Sequence, residues 1–116
     1  MAHGLTFSDY QDATKETAIY PEAGTGSVLA LAYVGLGLGE TGEVQGKLKK
    51  VIRDNNGHLT DEVREALIGE LGDVLWYAAR LADELDVELD LVAQENINKL
   101  LSRKERGVLG GSGDNR

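Results

Sequence analysis

The chain has no cysteine, a single proline, two histidines and far fewer basic than acidic residues, and each shortage removes a class of explanation. Without cysteine there is neither a disulfide framework nor a thiolate metal site, which fits an intracellular, cytoplasmic protein. The histidines, His3 and His58, lie in the terminus and in a turn, so they cannot build a zinc site, and exposed side chains are expected for both. Lys and Arg number 12 against 20 Asp and Glu, a net charge of −8. That balance argues against a nucleic-acid polymer held through its phosphates. No run approaches the length of a membrane span, and MAHGLTFSDYQDA lacks the basic and then apolar stretch of a signal peptide. What remains is one acidic domain of 116 residues, whose direct partners are cations. A helical hairpin of this length buries only part of its apolar surface, so association with further copies is expected.

Helical periodicity dominates. Thr6 and Asp9 form a capping-box pattern with Asp in place of Glu or Gln, which predicts a first helix over residues 7–20, closed by Pro21. PEAGTGS reads as a loop, and helical spacing then runs from Val28 through Ile52 as one long second helix. DNNGH, residues 54–58, is a turn, because Asn and Gly accept the left-handed conformation that closes a helix. Thr60 caps a third helix, about 61–85, with Val63, Leu67, Leu71, Val74, Ala78, Leu81 and Leu85 as its core face. A fourth helix spans Leu89 to Glu105 and stops at Gly107. The tail GVLGGSGDNR has too little apolar content to pack alone.

Two short motifs stand out of this pattern. GETGE sets Glu40 and Glu43 three residues apart, and GELGD does the same for Glu70 and Asp73, so each pair shares a helix face. The pairs are symmetric about the DNNGH turn, as equal axial height in an antiparallel hairpin requires. Leu29, Leu36, Glu40 and Glu43 step along one stripe, and Ala66, Glu70, Asp73, Tyr77 and Leu81 along another, which places the acids in a seam otherwise apolar. Taken singly, each pair is an ordinary solvated helix face. Together they are four like charges that would repel one another unless a cation neutralised them. Oxygen-only ligands select a hard cation, Mg²⁺ or Mn²⁺, over zinc. The flanking Gly39, Gly42, Gly69 and Gly72 would let helices approach and leave room for metal and phosphate.

GETGEVQGKLKK, ELGDVLWYAARLA and ENINKLLSRKERG together resemble the MazG-type nucleotide pyrophosphohydrolases, over about Asp9 to Gly107. The resemblance implies an all-α fold, an antiparallel helical hairpin core with flanking helices in a four-helix arrangement completed by oligomerisation as a homodimer or homotetramer. Residues 1–107 would be the domain and 108–116 a flexible tail. It implies that Glu40, Glu43, Glu70 and Asp73 hold Mg²⁺, and that a nucleoside triphosphate is cleaved between its α and β phosphates to the monophosphate and pyrophosphate. A quartet glutamate, Glu43 in preference to Glu40, would take the proton of the attacking water. By the same resemblance Asn96 and Lys99, with Arg103 continuing their stripe, reach the substrate's phosphates or sugar; a solvated basic face near a helix end is the competing reading.

Lys47 and Lys50 extend the acidic stripe and are phosphate candidates or plain surface. DYQDA matches the family's opening, which makes Tyr10 and Gln11 candidates for base or subunit contacts, with packing the safer reading for Tyr10. Trp76 and Tyr77 follow Asp73, where an aromatic ring could stack on a base or simply pack. Three other readings compete. GLGETG satisfies a dinucleotide-binding pattern, but the strand that should follow is absent from the periodicity. Phosphoribosyl-ATP pyrophosphohydrolases share the acidic helical scheme. A non-catalytic helical dimerisation or interaction module would use the acidic seam as a docking surface.

Overall fold

The computed structural model describes residues 4–40, 43–54, 56–111 and 113, without the side chains of residues 40 and 43–45. Among the described residues every regular element is helical: α1 (Phe7–Thr14) with a 3₁₀ turn at Lys15–Thr17, α2 (Val28–Glu40), α3 (Glu43–Asp54), α4 (Asp61–Glu84) and α5 (Leu89–Glu105). The chain is all-α, as expected. None of these helices is long and apolar enough to cross a membrane.

Local chemistry sets most of the boundaries. Thr6 and Asp9 close the expected capping box, with Asp9 N–H donating to Thr6 Oγ1 at 3.0 Å and Thr6 N–H to Asp9 Oδ2 at 3.2 Å, a device worth about 1 kcal/mol. The first helix is shorter than expected. Thr14 and Thr17 hydroxyls donate to the carbonyls of Gln11 and Thr14, at 2.7 and 3.2 Å. Such local bonds compete with the helical ladder, and the coil tightens to 3₁₀ geometry well before Pro21. Ser27 Oγ accepts from Ala30 N–H at 3.1 Å and caps α2. The expected long second helix is described as two segments, α2 and α3, on either side of Thr41 and Gly42, which lie outside the described residues.

The turn after α3 uses the left-handed residues its sequence promised, Asn56 at φ 52° and Gly57 at φ 76°, with Gly57 N–H donating to Val51 O at 3.1 Å. Thr60 Oγ1 then accepts from Val63 N–H at 3.2 Å and starts α4. Asp86 at φ 58° and Gly107 at φ 73° end α4 and α5 in the same way.

α4, about 36 Å long, is the spine: α1, α2, α3 and α5 all pack on it, and α1 also touches α5. Being surrounded on several sides changes which of its residues are buried. Of the expected core face, Leu71 and Leu85 are exposed and the rest only half-buried, whereas Ala79, Arg80, Ala82 and Glu84 are buried. On α2 the buried stripe is Ala30, Val34 and Gly37 rather than the expected one, and Leu29 and Leu36 lie exposed. A helix apolar on every side cannot show its burial phase by periodicity; α4 covers one face and leaves Val28, Leu29, Tyr33 and Leu36 open.

The apolar core is correspondingly small: Ala30, Val34, Val51, Ala79, Ala82 and Leu89, with Tyr10 packed against part of it. The radius of gyration is 17.2 Å, against roughly 13 Å for a compact domain of about this length.

Candidate functional site

Two contacts set the register of α2 and α3 against α4. Gly37 of α2 lies directly under the ring of Tyr77 on α4: a β-carbon at Gly37 would meet three ring carbons at 2.2–2.9 Å. On the other side of the α2–α3 junction, Lys47 Nζ stands 3.9 Å from Glu70 Oε1. Both contacts centre the antiparallel register on the turn around Gly57 and His58, close to the centre expected from the motifs. Glu40 ends α2 and Glu43 begins α3 between those two contacts; their side chains, and Gly42, lie outside the described residues.

Glu70 and Asp73 sit one turn apart on α4, the first half-buried and the second exposed. Tyr10 of α1 approaches from the side. Burial, and behind it the Asp73 carboxylate, pushes the Tyr10 hydroxyl above its ordinary value of 10.0, so Tyr10 is a neutral hydrogen-bond donor at physiological pH. No group of three or more acidic or histidine side chains forms a cation site among the described residues, which include only half of the quartet's side chains. Gly39, Gly69 and Gly72 have nothing within 4 Å of where a β-carbon would stand. They do not bring helices of one chain together, contrary to the expectation; they leave open space beside the acids.

The remaining candidates divide sharply. Lys47 and Lys50 line a groove between α3 and α4. Trp76 is half-buried: its Nε1–H donates to Thr17 Oγ1 at 2.8 Å, and its ring meets that of Tyr77 edge-on, centroids 5.1 Å apart. With Ile19, Tyr20, Pro21 and Tyr33 the two rings line a cavity of about 270 Å³. Asn96 and Lys99 are exposed on α5, but Arg103 is buried, so the expected stripe is not one open face.

Gln11 has a structural position. It is buried, its Nε2 donates to Asp83 Oδ1 at 2.8 Å and to Val87 O at 2.9 Å, and its Oε1 accepts from Leu89 N–H at 2.7 Å. Every hydrogen-bonding site of the amide that this arrangement uses ties α1 to the α4–α5 corner.

Sequence reasoning missed the network to which Gln11 belongs. Arg80 and Glu84, one turn apart on α4, are buried at 1 % and 4 % exposure. Glu84 accepts from the N–H groups of Gly24 and Gly26 at 2.7 and 2.8 Å and from the Tyr20 hydroxyl. Arg80 donates to Asp83 at 2.6 Å and to Thr14 Oγ1 and Tyr20 Oη at 3.2 Å each. The i, i+4 pair reads as surface decoration in sequence; the glycines of PEAGTGS were the available signal, since a loop with bare N–H groups needs an acceptor.

Burial pushes the Glu84 carboxyl up, but its bonds to Tyr20, Gly24 and Gly26 and the charge of Arg80 outweigh this and hold it below its ordinary value of 4.5. A depressed carboxylate contributes stability that is fully present above that ordinary value and is lost as pH falls through the lower folded one. Thermal unfolding of wild type and Glu84→Gln from about pH 7 to about pH 3 should therefore show a gap that is widest at neutral pH and closes on acidification below 4.5.

The Gly37 contact makes a second stability prediction. Gly37→Ala forces the Tyr77 ring aside, and overpacking of this kind costs roughly 1–3 kcal/mol, more than the helix propensity of about 1 kcal/mol that Ala returns. Gly46→Ala in α3, with open space around it, should instead raise the unfolding temperature. Thermal melts of the two variants against wild type test the opposite signs.

Residues 31–108, from α2 to just past α5, match the model of the MazG nucleotide pyrophosphohydrolase domain. The chain is also 57 % identical over 109 residues to the Gene 37 protein of Mycobacterium phage L5, an alignment covering 92 % of this chain and 96 % of that protein. No solved structure gives a significant match. The matched span holds both acidic motifs, the α3–α4 turn and the Arg80–Glu84 pair, and with an all-helical architecture around them the chain belongs to the MazG nucleotide pyrophosphohydrolase family.

Proposed function

We propose that the protein hydrolyses nucleoside triphosphates, ribo- or deoxyribo-, to the monophosphate and pyrophosphate, with Glu40, Glu43, Glu70 and Asp73 as its divalent-cation ligands. The observation that carries this reading is the register. The Gly37–Tyr77 and Lys47–Glu70 contacts bracket the junction of α2 and α3 on α4, which supports a pairing of the first acidic segment with the second. The donor chemistry fits a hard cation, since carboxylate oxygens alone suit Mg²⁺ or Mn²⁺. When bound, such an ion would neutralise phosphate charge and lower the pKa of a coordinated water.

The chain's own residues supply the rest. Glu43, or Glu40, accepts the proton of the attacking water at a carboxylate oxygen. The base enters the cavity beside Trp76 and Tyr77, where the Trp76 ring is already fixed by its bond to Thr17 and offers an oriented aromatic surface. Asn96 and Lys99, exposed on α5, contact phosphate or sugar oxygens.

The working form is a homodimer or homotetramer. Its support is the apolar surface that one chain leaves uncovered, including Val28, Leu36, Ile52 and Leu71, each at least 65 % exposed.

Release of pyrophosphate with Mg²⁺ across a panel of standard and damaged nucleoside triphosphates, together with phosphoribosyl-ATP, tests the activity. Turnover of one or more triphosphates is expected. A folded protein that releases no pyrophosphate from any of them would be the non-catalytic helical module instead, and release from phosphoribosyl-ATP alone would reassign the substrate.

A further inference from the structure

Lys47 is drawn toward Glu70 without being locked there. The 3.9 Å separation is at the outer limit of an ion pair, and the lysine side chain keeps 38 % of its surface exposed against 17 % for the glutamate. A half-exposed pair at this distance is weak, and the four-carbon stem of lysine can reorient its charge at little cost.

The same lysine opens onto a groove of about 470 Å³ in which Lys47, Lys50 and Val51 of α3 face Val63 and Ala66 of α4. Lys47 and Lys50 share a helix face at i, i+3, and Ala66 lies one turn before Glu70, so the groove leads directly away from Glu70. Asp54 and Glu62 close its far end near the turn. A polyanion entering from the Glu70 end would thus meet two ammonium groups and stop before two carboxylates. The lining as a whole is balanced, two lysines against two carboxylates, and its lysine end is the place where phosphate can bind in a chain of net charge −8.

From this geometry we propose that Lys47 is an exchangeable counter-ion: it compensates Glu70 in the cation-free site and, once a divalent cation takes that carboxylate, turns into the α3–α4 groove to hold, with Lys50, the phosphate chain of the substrate and the pyrophosphate product. The proposal rests on the reading of the four acids as a cation site. It predicts that one substitution, Lys47→Met, shifts two affinities in opposite directions. Cation binding tightens because a competitor for Glu70 is gone, and pyrophosphate binding weakens because a ligand is gone. Lys50 contributes to the second affinity alone. Lys49, which does not line the groove and borders, with Lys50, a second surface of α3, contributes to neither.

The test uses the full chain and two probes, Mn²⁺ alone, followed by the spectroscopic signal of the free ion, and inorganic pyrophosphate in saturating Mg²⁺, followed by calorimetry. Lys47→Met should bind Mn²⁺ about two- to fivefold more tightly and pyrophosphate roughly tenfold more weakly. Lys47→Gln should behave alike. Lys50→Met should lose pyrophosphate affinity with Mn²⁺ affinity unchanged, and Lys49→Met should match wild type in both. Unchanged Mn²⁺ affinity in folded Lys47 variants overturns the exchange while leaving the cation site standing. Failure of the wild-type chain to bind Mn²⁺ overturns the acidic-site reading and the exchange with it.

Discussion

Asp73→Asn and Glu70→Gln are each expected to lower pyrophosphate release on the order of 10²–10³-fold at saturating Mg²⁺ while the fold is kept. Each change removes one negative charge and almost no volume, so the loss is specific to an oxygen site that needs anionic ligands. Asp73 is exposed and Glu70 half-buried, which leaves little packing to disturb. The contact that Glu70→Gln does disturb, with Lys47, is a weak partly exposed pair. In metal-free buffer the thermal unfolding temperature should hold or rise, because removing a carboxylate relieves repulsion within an acidic cluster. That combination separates a cation site from a structural one, whose disruption would lower activity and stability together. Steady-state turnover, Mn²⁺ binding and a thermal melt on the same preparations provide the check, and wild-type turnover in both variants would refute the assignment.

Arg80→Met should act in the opposite sense, lowering stability severely. The guanidinium is 1 % exposed and serves Asp83, Thr14, Tyr20 and Glu84 at once. Met fills part of its volume but leaves the buried Glu84 carboxylate without its cation, and breaking a buried pair by removing one partner costs roughly 3–5 kcal/mol. For a domain of this size that corresponds to a fall in unfolding temperature of roughly 10–20 °C. The damage spreads beyond α4, because Glu84 also holds the N–H groups of Gly24 and Gly26 and Thr14 sits at the end of α1.

Arg80→Met combined with Glu84→Gln should be less destabilised than the sum of the two single changes, since the stranded charge is then gone. Urea or thermal unfolding of the four proteins measures the coupling. A change of only a few degrees for Arg80→Met would show that water reaches and solvates Glu84.

The family model begins at residue 31, so this network joins the matched span to α1 and the PEAGTGS loop. Stability of the spine and placement of the N-terminal elements are thereby one property. Pro21 of that loop and Tyr20 just before it line the aromatic cavity beside Trp76, and loss of Arg80, which bonds Tyr20, would therefore disturb that cavity as well as the melting temperature.

Much of the fold was legible in short-range chemistry. The Thr6–Asp9 and Thr60 caps, the DNNGH turn, the span of α5 and the Gly107 stop depend on residues within a few positions of one another, and they appear where their residues predict. Glu70 and Asp73 were legible for the same reason, one turn apart on α4, whereas Glu40 and Glu43 fall on two helix segments and their side chains lie outside the described residues. Helix α2 was not legible in its phase: with apolar residues on every side, periodicity could not choose between the Leu29–Leu36 stripe and the Ala30–Val34–Gly37 stripe that α4 covers. The core of α4 was misread because several helices pack around it, and an amphipathic rule with one buried face does not apply. Arg103 and Gln11 looked like reaching side chains and are buried.

By itself the sequence determined the all-helical class and the antiparallel pairing across residues 54–58, because each follows from backbone periodicity and turn chemistry within a short stretch of chain. The tertiary structure alone decided that Gly37 seats Tyr77, that Lys47 leans on Glu70, and that Arg80 and Glu84 bind α1 and the loop to the spine. Those pairings join residues far apart in sequence, and their partners are set by how four helices share the faces of a fifth, a choice that no local pattern encodes.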